Sequence, residues 1–114
     1  MDAMTATTFD SLSPLDGRVV GTFPVQGAEE VAATVDRARR AAEEWRALGF
    51  AGRRRALDAW RRDIVAHLDE LIALVRAETG KPAGDARLEI MLALDHLAWA
   101  ASHARRVLRR RSVF

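Results

Sequence analysis

The sequence predicts a mainly α-helical chain with one short β-hairpin followed by three long helices. Three observations carry that expectation. From Arg53 to Pro82 the apolar residues Leu57, Trp60, Ile64, Leu68, Leu71 and Val75 recur at steps of three and four. Such steps keep them on one helical face, because each residue turns about 100°. The run stops at Gly80 and Pro82: glycine adopts the left-handed conformation that ends a helix, and proline blocks its resumption. Nearer the start, Asp16-Gly17 is a turn signal just ahead of Val19, Val20, Thr22 and Phe23, which suit a strand.

The totals set the limits. The chain has 114 residues, enough for one domain or part of one. Hydrophobic residues make up 49%, which argues against disorder, and aromatics only 6%, so any core is aliphatic and alanine-rich. The 18 basic and 16 acidic residues describe a mixed surface, which implies neither nucleic acid nor membrane as a partner. Without cysteine the chain has no disulfide, no thiolate metal site and no Cys nucleophile of its own. No apolar run reaches the length of a membrane span, and the first residues lack the basic and apolar pattern of a leader, so the expected location is the cytoplasm.

In chain order, residues 1–8 are expected to form a disordered tail. Residues 9–25 read as a hairpin, with Pro24 closing its second strand or marking an edge. The first helix, 28–48, opens after Gly27 with Glu29 and Glu30 where the helix dipole favours negative charge. Val31, Val35, Ala38, Ala42 and Trp45 form its stripe, expected to be buried, and Gly49 ends it. Residues 50–52 read as a link. The second helix spans 52–79, with Arg54, Arg61, Asp69 and Arg76 on its polar face. The third covers 84–109. Its main stripe is Ile90, Leu94, Leu97, Ala101, Ala104 and Leu108, while Leu88, Leu92 and Trp99 lie off that stripe. A helix apolar on two sides is expected to be sandwiched between layers.

Chemistry is scarce in these residues. Glu43-Glu44 reads as a solvated face, since nothing in the pattern buries either carboxylate. Arg53-Arg54-Arg55 reads as surface charge whose stems cover apolar area, and the arginines from Arg105 to Arg111 complement a helix C-terminus. His96 and His103 stand two turns apart, about 10.5 Å along a helix, too far to share one metal ion. Neither a Gly-rich phosphate loop nor a G-x-S-x-G elbow is present. No catalytic, cofactor-binding or metal-ligating residue is therefore assigned.

Three segments together resemble the beginning of an aldehyde dehydrogenase. Ser13-Pro14-Leu15-Asp16-Gly17-Arg18-Val19-Val20-Gly21-Thr22-Phe23-Pro24-Val25 is similar to the opening hairpin of that family. Ala28-Glu29-Glu30-Val31 through Ala41-Ala42-Glu43-Glu44-Trp45 is similar to its first helix. Glu78-Thr79-Gly80-Lys81-Pro82 resembles the close of its second helix, and Glu89-Ile90 follows inside a third. The resemblance covers residues 9–114. It implies an oxidoreductase converting aldehydes to carboxylic acids with NAD or NADP, in which a Cys thiolate attacks the aldehyde and hydride passes to the nicotinamide. These residues resemble the N-terminal portion of the family's α/β cofactor-binding domain, ahead of the cofactor turn, the catalytic Glu and the Cys.

The expectation is thus an incomplete N-terminal part of such an enzyme, inactive alone and binding no cofactor. Its partner would be the rest of an aldehyde dehydrogenase chain, homo-oligomeric when full length, without nucleic acid or membrane. Leu92 and His96 would help line the aldehyde entrance, as the resemblance implies for the third helix. Two alternatives stand beside it. One is an independent helical interaction module, or a remnant that binds a full-length relative. The other is a basic nucleic-acid binder using the Arg105 to Arg111 end, whose binding would be steeply salt-dependent.

Overall fold

In the computed structural model, which describes residues 7–109, six elements follow one another along the chain. Strands β1 (Thr8–Leu12) and β2 (Val19–Pro24) form an antiparallel hairpin. Helices α1 (Ala28–Ala47), α2 (Gly49–Ala66), α3 (Leu68–Thr79) and α4 (Ala83–Val107) complete it. The mainly α class with one hairpin holds, but the helices number four. Met1 to Ala6 lie outside the described residues, as do Arg110 and Arg111 of the basic end. Thr8, expected in the tail, already belongs to β1, where it pairs with Pro24.

The hairpin closes through its turn chemistry. Gly17 has φ 72°, and its N–H donates to the Ser13 carbonyl at 2.9 Å. The Arg18 N–H donates to Asp16 Oδ1 at 3.2 Å. That bond, then the Ser13 hydroxyl, hold the Asp16 carboxyl below its usual range. Phe9 and Phe23 pair across the strands with ring centres 5.7 Å apart. The register shifts between Ser11 and Leu12, which leaves Val20 as the extra residue of a bulge.

The turn end of the hairpin rests on the joint between α3 and α4. Gly80 takes φ 72° there, and a side chain added to it would stand 3.2 Å from Pro14 and 3.3 Å from Leu15. Ser11 Oγ donates to Glu78 Oε1 at 3.3 Å. Ser13 is buried beneath this contact. Two of the three segments singled out in the sequence thus meet. Pro82 serves as the N-cap of α4, its carbonyl accepting the Ala86 N–H at 3.1 Å. The joint is only Gly80-Lys81-Pro82, braced by an ion pair between Lys81 and Glu89.

Two expectations about the helices change. The link at 50–52 does not exist: Gly49, at φ 62°, turns the chain, and α2 begins at that same residue. The helix expected over 52–79 is broken at His67, which leaves helical geometry at φ −107° and ψ 21°. Ile72, absent from the predicted stripe, becomes the most buried large side chain, while Trp60 stays 56% exposed. Ala86, one turn ahead of Ile90, is fully buried.

The core is small. Among the described residues Ile72 and Ala86 are the buried hydrophobic ones. They sit where α2 and α3 lie along α4. The α1 stripe, expected to be buried, is exposed from Val31 to Trp45, because α1 touches only the start of α2 and little else. Leu88, Leu92 and Trp99 of α4 are likewise uncovered, so nothing among the described residues sandwiches that helix. The radius of gyration is 19.5 Å, against about 13 Å for a compact chain of this length.

Candidate functional site

Among the described residues, an apolar groove of about 700 Å³ runs along the seam of α2, α3 and α4. Trp60 and Ile64 of α2 and Leu71 and Val75 of α3 form one wall. Ile90, Leu94 and Leu97 of α4 form the other. These are the stripe residues that periodicity picks out, and their spacing is why they converge. Both α2 and α3 contact α4 along this seam.

His96 adds the one titratable group among the lining residues. It is exposed, at the rim. Leu92 is 52% exposed and does not line the groove. The structure therefore brings His96, and not Leu92, to the groove.

The other titratable residues singled out in the sequence stay apart. His103 stacks on Trp99, with ring centres 4.7 Å apart and planes 8° from parallel. Its Nδ1 lies 2.9 Å from the Trp99 carbonyl and 2.8 Å from Ser102 Oγ. His67 sits at the α2–α3 break, away from both. Among the described residues no group of three or more His, Cys, Asp or Glu is placed to hold a metal ion. Arg53 lies over the Phe50 ring at 4.8 Å, and Arg54 pairs with Asp58 at 3.7 Å, so both are committed to their own helix. A second hollow, of about 320 Å³, lies where Trp45 of α1 meets Phe50 and Leu57 of α2 and Ala104 of α4. Sequence reasoning missed it because Phe50 was read as a link.

This arrangement can receive apolar surface. It holds no pair of groups within reach of each other for nucleophilic or acid–base chemistry, since His96 faces only aliphatic and indole neighbours across the groove. No described helix is long and apolar enough to cross a membrane.

Comparison with known proteins agrees with the three segments. The aldehyde dehydrogenase family model matches residues 1–113. The NADP(+) succinate-semialdehyde dehydrogenase of Escherichia coli K12 is 35% identical over 107 residues, covering 94% of this chain and 22% of that protein. The 4,4'-diapolycopene aldehyde oxidase of a Methylomonas species is 39% identical over 108 residues, 94% of this chain and 20% of its own length. A glutarate-semialdehyde dehydrogenase of Pseudomonas putida is 33% identical over 107 residues, with 94% and 22% covered. The chain spans about a fifth of the length of these relatives. It belongs to the aldehyde dehydrogenase family.

Proposed function

We propose that these residues form the N-terminal part of an NAD(P)-dependent aldehyde dehydrogenase, and that their task is structural. They supply a hairpin and a helical layer that pack on the cofactor-binding domain, while residues beyond them carry the chemistry. The observation that carries this reading is the family match over residues 1–113 in a chain that spans only a fifth of its relatives. The uncovered groove supports it. Trp60, Leu71, Ile90 and their neighbours present a continuous apolar surface of the kind that marks an interaction site.

The division of labour follows from the side chains present. The chemistry implied by the resemblance needs a thiolate, and this sequence has no cysteine. Its nicotinamide cofactor would be held elsewhere, as no Gly-rich turn occurs here. In the assembled enzyme α4 would stand by the aldehyde entrance, with His96 at the groove rim and Leu92 on the adjoining surface. The relatives are named for different aldehydes, so the shared element is the aldehyde group and no single substrate is assigned. The full enzyme would be a cytoplasmic homo-oligomer. A self-contained helical module fits less well, because its core would have to close, and here α1 and one side of α4 stay exposed.

Two experiments test the reading. Titration calorimetry of the 114-residue chain with NAD and with NADP should give no binding, and no aldehyde should be turned over. Tight stoichiometric binding would sink the proposal. A chimera in which these residues replace the matching segment of the Escherichia coli relative should fold and oxidise its aldehyde. A chimera that aggregates, when the parent does not, counts against a shared packing role.

A further inference from the structure

His67 is the single residue between α2 and α3. The His67 N–H donates to the Asp63 carbonyl at 3.1 Å, and the ring Nδ1 lies 2.9 Å from the same oxygen. The ring also stands 3.6 Å from Asp63 Oδ1. The ring thus shares a carbonyl that already takes the ordinary i−4 bond, a back-bonding that favours a bend in the helix. Immediately beyond, α3 opens with Asp69 and Glu70. Arg87 of α4 engages Asp69 at 3.3 Å. Asp63 and Glu70 are the remaining carboxylates beside the ring.

We propose that His67 is a proton-operated latch for the α2–α3 joint. Its imidazolium, tied to the carbonyl and carboxylate of Asp63, holds the bend that sets Trp60 and Ile64 against Leu71 and Val75 in the groove. The neutral ring keeps the carbonyl bond in one tautomer but loses its attraction to Asp63 Oδ1. The Asp63 carbonyl, then the charges of Asp63 and Glu70, push the His67 imidazole above its ordinary value of 6.5, against a small opposing effect of desolvation. A raised value in the folded state means that the added stability is fully present below 6.5. It is lost as pH rises through the higher folded value. This device is independent of where catalysis takes place.

The test uses the 114-residue chain. NMR follows the His67 ring, and hydrogen exchange follows the amides of His67 and Leu71, which bond the Asp63 and His67 carbonyls, from about pH 5 to 8. The ring midpoint should lie above 6.5. Protection at His67 and Leu71, corrected for intrinsic exchange, should fall about twofold across that same midpoint. Asp63→Asn keeps the carbonyl but removes the charge, and should move both midpoints down together. His67→Asn keeps a donor near the Nδ1 position and should abolish the pH dependence. The wild-type chain decides the matter even if a variant fails to fold. A ring that titrates without a change at His67 and Leu71, or no protection there at any pH, overturns the proposal. So does an Asp63→Asn midpoint that stays in place.

Discussion

Gly80 and Gly49 both adopt positive φ, 72° and 62°, yet they face different neighbours. Gly49 is open on all sides, whereas Gly80 lies under Pro14 and Leu15. Alanine at either position strains the backbone by about 1–2 kcal/mol. At Gly80 the hairpin must also give way, which adds about 1 kcal/mol. Urea midpoints of the helical signal should therefore fall further for Gly80→Ala than for Gly49→Ala. Equal losses would mean that the hairpin is not seated on Gly80. Both glycines were legible in the sequence as helix ends, because φ preference is a property of the residue itself. His67 was not. The apolar steps from Ile64 to Leu68 to Leu71 run through its break without a gap, and its ring contact to a carbonyl four residues earlier is a feature of the folded chain that periodicity does not encode. Of the two residues named for the aldehyde entrance, His96 lines the apolar groove and Leu92, one turn earlier, does not.

Among the elements, burial ranks stability. Ile72 of α3 is 7% exposed, while Trp60 of α2 is 56% exposed although the sequence placed both on one helix. Truncating Ile72 to alanine should cost about 2–4 kcal/mol, because it removes buried methylenes and leaves a cavity. Trp60→Ala should cost the isolated chain less than about 1 kcal/mol, since most of that side chain is already in water. Denaturant melts of the two variants check the contrast, and a larger loss for Trp60→Ala would show that the groove closes in solution. Periodicity identified which residues are apolar together. It was silent on which faces find a cover, because that depends on how α1 and α4 are placed. The α1 stripe shows the limit: its spacing is regular from Val31 to Trp45, yet burial needs a surface opposite, and none of the described elements provides one.

At the scale of the whole molecule, the exposed faces and the family membership make one argument. The accessible surface is 9625 Å², against about 6,200 Å² expected of a folded monomer of this mass. Much of the excess is apolar: the α1 stripe, Leu88, Leu92 and Trp99 of α4, and both phenylalanines of the hairpin. Apolar surface left in water gains nothing from folding, and under the proposed packing role these residues would find their cover on the rest of the enzyme. The isolated chain should accordingly enhance the fluorescence of an apolar-surface dye and scatter X-rays with a radius of gyration near 19.5 Å. In the chimera with the Escherichia coli relative the same faces should be covered, and dye enhancement should fall to that of the parent enzyme. Trp60→Ala then becomes the sharper probe. Nearly neutral in the isolated chain, it should destabilise the chimera by about 3–5 kcal/mol once Trp60 is buried. If the substitution is silent in both settings, Trp60 remains in water after assembly, and the groove is not the surface by which these helices join the rest of the enzyme.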